Sequence, residues 1–264
     1  MSIKKILIGI GDSYTHNDNR KSWVEELCAI GEFDSYVKVA KGGASNDWIF
    51  NSAYDTINEY DNNLNNELTL IVLWSDVQRI NFYDIANKIL RSEYEIENIK
   101  SNANLENTSI LSQIIMDECK KNEASPNKVY SNILTYSYRK LHLLEKYCHL
   151  CNIKLYHGCV FNINEGWKIV KNIARSYKIE NEKQFMPSFT RYKIELERSK
   201  SFMGFDFSIR DYIIERKLIK SKNDVHPNNE GQKEIANLIF KFMNSGIRPK
   251  FKNNTQYESD FIYD

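Results

Sequence analysis

Proline and glycine are scarce in this chain, 4 and 10 of its 264 residues. No Pro-, Gly- or Ser-rich stretch interrupts it, which excludes collagen-like and low-complexity architectures and leaves no linker between domains. Net charge is nearly absent too, since 36 basic residues meet 35 acidic ones for a formal +1. Proteins that hold nucleic acid by its phosphates carry a basic excess, so that partner class is set aside. The basic run Arg216-Lys217-Leu218-Ile219-Lys220 reads as a solvated helix end. No apolar stretch approaches a membrane span. The opening segment to Ile10 has too short an apolar core for a signal peptide, and no small-residue cleavage site follows it. The cysteines number 5, an odd count that argues against a disulfide framework and for a reducing compartment. The expectation is a soluble, unprocessed, cytoplasmic protein with no membrane or nucleic-acid partner. Its oligomeric state stays open. The Asn-, Ile- and Lys-rich usage suits an AT-rich genome, such as a viral one.

What the chain does have is a regular alternation of apolar patterns. Ile6-Leu7-Ile8-Gly9-Ile10 is the continuous apolar run of a buried parallel strand. Trp23, Leu27 and Ile30 follow at helical spacing, with Ser22 as N-cap and Gly31 as stop. Tyr36-Val37-Lys38-Val39 reads as a second strand, and Ile49, Ala53 and Ile57 mark a second helix. Leu68 to Trp74 is the strongest strand signal in the sequence. This β-α-β-α-β rhythm predicts an α/β protein with a parallel, doubly wound sheet.

Leu134, Leu141, Leu144 and Cys148 then line one face of a long helix that leads to a fourth strand, Ile153 to Cys159. The connection from third to fourth strand far exceeds a minimal crossover. Residues 80–125 are therefore predicted to be a helical insertion over the site, with helical periodicity around 83–99 and 108–121. Residues 162–178 and 207–219 read as helical, and the charged stretch 180–205 between them has no assignment. Asn229-Glu230-Gly231-Gln232 resembles a capping box ahead of a buried stripe of Ile235, Leu238, Ile239 and Phe242. The expected organisation is one domain over 1–246 and a polar tail over 247–264, without internal repeats.

Three strand ends carry small or polar groups: Gly11-Asp12-Ser13, Gly42-Gly43 and Ser75-Asp76. In a doubly wound sheet these loops sit side by side where the strand order reverses. Acyl transfer needs a nucleophile and donors aimed at an oxyanion; Ser13 and the backbone N–H groups of Ser13 and Gly43 can supply them. The base must come from elsewhere. Of the 5 histidines, His142 and His149 fall on the long helix and His157 in the fourth strand. His16 is close to Ser13 but inside its turn. His226 stands in a loop before a capped helix, with Asp224 two residues upstream and Pro227 behind it, a setting that can hold an imidazole at a fixed angle. A zinc reading of Cys148-His149-Leu150-Cys151 with His157 and Cys159 lacks a separated second pair, and core cysteines fit better.

GDSYT at 11–15, GGASN at 42–46 and DVHP at 224–227 together resemble the SGNH/GDSL hydrolases, in their order and spacing as well as in identity. The resemblance implies a flavodoxin-like three-layer α/β/α sandwich. It implies hydrolysis of a small O-acyl ester, O-acetyl foremost, on a small molecule or a glycan, with no metal or cofactor. Ser13 would be the nucleophile, His226 the base and Asp224 its orienting partner, with Gly43 an oxyanion donor. Two departures matter. The family's third block, Gly-x-Asn, is replaced within Leu73-Trp74-Ser75-Asp76-Val77-Gln78-Arg79. Ser75 is the expected substitute donor, while Asn46, Trp74 and Arg79 are assigned to substrate binding. An anionic Asp76 there would oppose an oxyanion, and a lost donor costs about 10²–10³ in rate. The family's usual Asp-x-x-His spacing would also place the partner at Asn223, so Asn223 competes with Asp224 for that role. The alternative function is a catalytically weak or inactive protein of this fold, serving as a carbohydrate-binding or structural module.

Overall fold

The structure is a computed structural model and describes residues 3–16, 21–61, 66–76, 81–84, 89–92, 126–162 and 187–251. Four strands, β1 (Lys4–Gly11), β2 (Ser35–Ala40), β3 (Asn66–Trp74) and β6 (Lys154–Cys159), form a sheet in the order β2-β1-β3-β6. Every pairing in it is parallel. The order reverses between β1 and β3, so loops leaving the carboxyl ends of these strands flank a crevice. The fold is a three-layer α/β/α sandwich, as the alternation of strand and helix patterns leads one to expect.

Strand parity assigns each residue to a layer. Ile6, Ile8 and Ile10 of β1, with Leu68, Leu70, Val72 and Trp74 of β3, face α2 (Asn46–Asp61), α3 (Pro126–Leu150) and α4 (Pro187–Arg198). Leu7, Ile71 and Leu73 face α1 (Trp23–Ile30), α5 (Ile209–Glu215) and α6 (Asn229–Ser245). Each such Leu or Ile, buried on a sheet covered on both faces, contributes about 1.5–3 kcal/mol. Gly9 belongs to the second face. A Cβ there would lie 2.4 Å from a Val24 methyl, so the glycine lets α1 lie directly on β1.

Several expectations need correction. In α1 the buried stripe is Trp23, Val24 and Leu27, while Ile30 is exposed at the helix end. Within 80–125 the described stretches are β4 (Asn81–Asp84) and β5 (Ile89–Ser92), an antiparallel hairpin where helical periodicity was expected. Runs of four residues are too short for a period to discriminate. The rest of that insertion and residues 163–186 lie outside the described residues. The helix expected over 207–219 is the shorter α5, after which β7 (Ile219–Ser221) and β8 (Asp224–Pro227) form a second hairpin. Asp224 and His226 are therefore on a strand instead of a loop. The cap of α6 is Asn228, one residue earlier than the sequence suggests, and its Oδ1 accepts the Gly231 N–H at 2.8 Å. The segment expected as a tail begins docked. Arg248 donates to the carbonyls of Leu196, Glu197 and Ser199 at the end of α4, and Phe251 stacks on Phe207 at 5.3 Å.

Candidate active site

β1 ends in a turn closed by Asp12. The Asp12 carbonyl accepts the N–H groups of Thr15 at 3.0 Å and His16 at 2.9 Å, and its Oδ1 accepts the Tyr14 N–H at 3.0 Å. This Asx turn folds over Gly11, where a Cβ would sit 2.3 Å from Thr15 Oγ1. Thr15 is held in turn by the Trp23 indole N–H at 3.2 Å. Within the turn Asp12, Tyr14 and Thr15 are buried, while Ser13 is half-buried and turned to the crevice.

The β7–β8 hairpin brings the imidazole to the serine across 213 positions of sequence. His226 Nε2 lies 2.9 Å from Ser13 Oγ, and His226 Nδ1 lies 2.6 Å from Asp224 Oδ1. The carboxylate fixes the proton on Nδ1, which leaves Nε2 to accept the Ser13 O–H. Asp224 Oδ1 also accepts the His226 backbone N–H at 3.1 Å, while Ser221 Oγ accepts the Asp224 N–H. Burial pushes the Asp224 carboxyl upward, but the two His226 hydrogen bonds, the electrostatic pull of that ring and the Lys220 charge outweigh it and hold the group below its ordinary range. Asn223, at the hairpin turn, is exposed.

Two residues that sequence reasoning missed hold these pieces in register. The Tyr14 phenol donates to the Val225 carbonyl at 2.9 Å, and its ring tilts against His226 at 5.3 Å. Burial, foremost, drives that phenol well above its ordinary pKa, so it stays a donor. Gln232, buried on α6, donates to the Tyr14 carbonyl at 3.2 Å and accepts the Trp23 N–H at 2.8 Å. Neither role has a sequence signature, since both depend on partners more than 200 positions away.

The third strand end differs from expectation. Asn46 is nearly fully buried, and both ends of its amide are spent on Ser75: Oδ1 accepts the Ser75 N–H at 2.8 Å and Nδ2 donates to the Ser75 carbonyl at 3.2 Å. Asn46 thus fixes the loop after β3. The Ser75 hydroxyl donates to Asp12 Oδ2 at 3.0 Å. Its single proton is committed to a buried carboxylate, which removes it as an oxyanion donor. Trp74 is not a substrate-binding residue either. It is fully buried in the core and its indole donates to His157 Nδ1 at 2.9 Å. His157 Nε2 meets Glu145 Oε1 at 2.9 Å, and Glu145 also accepts the Ser199 hydroxyl. Arg79 lies outside the described residues. Gly43 lies at the turn after β2 with φ 71°, a conformation open to glycine and strained for others.

The Cys/His group dissolves in the same way. Cys148 and Cys159 are buried in the core, and burial pushes the Cys148 thiol up to about 12. Among the described residues no group of three His, Cys, Asp or Glu is placed to hold a metal ion. Nor is any described helix long and apolar enough to cross a membrane.

No family model matches the chain, and no curated protein does. Solved structures resemble it at low identity. A psychrotrophic esterase, EstA, from Pseudoalteromonas sp. is 12% identical over 91% of this chain and 97% of its own, with a TM-score of 0.47. A member of the lipolytic G-D-S-L family from Veillonella parvula is 12% identical over 91% and 99%, with a TM-score of 0.41. A catalytic mutant of the acetylxylan esterase Axe2 from Geobacillus stearothermophilus is 11% identical over 94% and 98%, also at 0.41. Likeness at this level assigns no chemistry to the present chain.

Proposed function

We propose that this chain is an SGNH-type serine esterase that hydrolyses a small O-acyl ester, O-acetyl foremost, including one carried on a carbohydrate. The observation that carries the reading is the line from Ser13 Oγ through His226 to Asp224, at 2.9 Å and 2.6 Å. In this reading His226 Nε2 takes the Ser13 proton as Oγ attacks the ester carbonyl carbon. The backbone N–H groups of Ser13 and Gly43 receive the oxyanion. The imidazolium, stabilised by Asp224, then gives its proton to the departing alcohol. Water, deprotonated by the same imidazole, attacks the acyl-serine and releases the acid and free Ser13.

The commitment of the Ser75 hydroxyl to Asp12 favours slow turnover, because a two-donor hole gives up about 10²–10³ in rate relative to three. The test is fluorophosphonate labelling read by intact mass, alongside hydrolysis of p-nitrophenyl acetate. One adduct is expected on the wild-type protein and none on Ser13→Ala, with turnover lost in step. Turnover at the wild-type rate in Ser13→Ala, or a folded wild type that takes neither label nor substrate, would sink the reading and leave the binding-module alternative.

A further inference from the structure

Arg210, on the first turn of α5, is left out of the ion pairs among the described residues. Its Nε is buried and has no hydrogen-bond partner among the described residues. A guanidinium carries five N–H donors, and a buried donor left unmade costs about 1–3 kcal/mol. The residue is placed deliberately by the backbone: its N–H donates to the Val160 carbonyl at 2.9 Å, and the Val160 N–H donates to the Trp74 carbonyl at 2.8 Å. Arg210 therefore hangs from the carboxyl ends of β3 and β6, the end of the sheet that carries Ser13.

From there two aromatic rings lead to the base. The guanidinium carbon lies 5.7 Å from the centre of the half-buried Phe161 ring. Phe161 meets Tyr14 edge-on at 6.0 Å, and Tyr14 leans on His226 at 5.3 Å. The charge of Arg210 reaches Tyr14, where it opposes the upward effect of burial on the phenol. A ring face steadies a guanidinium by cation–π attraction and leaves its planar fork open to a bidentate anion.

We propose that Arg210 is a specificity-determining residue that receives an anionic group, a carboxylate or a phosphate, on the alcohol half of the ester. The proposal rests on the hydrolase reading. His226 delivers its proton to the departing alcohol, so that half of the substrate lies beside the imidazole, at the same end of the sheet from which Arg210 hangs.

The probes are 4-acetoxybenzoate, with a carboxylate on its alcohol half, and its methyl ester, which is neutral. Arg210→Gln should lower kcat/KM for the anionic ester by about tenfold or more and leave the neutral one within about twofold, with Arg210→Lys in between. The wild-type preference for the anionic ester should also weaken as salt rises, a readout that needs no variant. Binding supplies an arm independent of turnover. Ser13→Ala should hold 4-acetoxybenzoate about tenfold tighter than the methyl ester, and Ser13→Ala with Arg210→Gln should lose the difference. Equal losses on both esters, or no charge preference in either arm, overturn the proposal even when the methyl ester is cleaved. If neither ester is cleaved but the binding preference persists, the anion site stands and the hydrolase reading fails.

Discussion

Among the imidazole–carboxylate pairs of the described residues, two put the same two functional groups to opposite use. His226 and Asp224 sit on a hairpin, with side chains 38% and 41% exposed. His157 and Glu145 sit inside the sandwich, at 0% and 16%. In the first pair the carboxylate takes Nδ1–H and leaves Nε2 facing a serine hydroxyl. In the second the Trp74 indole donates to Nδ1, so Nε2 carries the proton and donates to Glu145. Both nitrogens of His157 are satisfied by the core, and no proton can be exchanged with a substrate. A histidine beside an acid is thus no mark of catalysis. What sets His226 apart is the tautomer, the accepting nitrogen turned to Ser13, and access from the crevice.

The largest test of that contrast removes each imidazole in turn. His226→Ala should lower kcat by about 10⁴–10⁶-fold with little change in the melting temperature. His157→Gln should do the reverse. It should cost about 1–3 kcal/mol of unfolding free energy, because the buried Trp74 donor and Glu145 lose their partner, and leave kcat per folded molecule within about threefold. Parallel denaturation curves and assays decide the matter; equal loss of activity in both variants would erase the distinction.

A smaller effect sharpens the exposed pair. Asp224→Asn should reduce kcat by about 10⁴-fold, since the amide no longer imposes the Nδ1–H tautomer. Asn223→Ala, at the exposed turn, should stay within about twofold of wild type. Steady-state kinetics on both variants would show the reverse ranking if the partner stood three residues before the histidine.

The smallest effect belongs to the buried pair and appears only at low pH. Burial raises the Glu145 carboxyl, but the hydrogen bonds from His157 and Ser199 and the electrostatic pull of the His157 and His142 rings leave it below its ordinary value. A depressed folded-state pKa gives stability that is complete above the unfolded value, near ~4.3, and drains away as pH falls through the folded one. Urea unfolding below pH ~4.5 should therefore show a shallower dependence on pH in Glu145→Gln than in the wild type. An unchanged slope would mean that this carboxyl is not held down by its partners.

The sequence made the strands legible wherever apolar runs were long, as at Ile6–Ile10 and Leu68–Trp74, because a sheet covered on both faces leaves no polar position in its middle. Ser13, His226 and Asp224 were singled out by their motif blocks, and the fold brings the three side chains together. Trp74 was misread for the same reason: a motif position outweighed strand parity, although Leu68, Leu70, Val72 and Trp74 fall on one face and already pointed to the core. The β7–β8 hairpin was hidden, since Ile219–Pro227 is short, mostly polar and without clean alternation. Asn46, Tyr14 and Gln232 have roles created entirely by long-range contacts, which no local window contains.

Gln232 joins the Ser13 turn to α1 and α6, and Tyr14 joins that turn to the β7–β8 hairpin. The proposed site is therefore not lodged in a loop that can fray while the body stays folded. To move the Ser13 turn away from the hairpin, the chain must break hydrogen bonds anchored in the α1–α6 layer, which makes that opening a costly one. On warming, the Ser13–His226–Asp224 geometry should survive as long as that layer does and vanish with it in the same cooperative step.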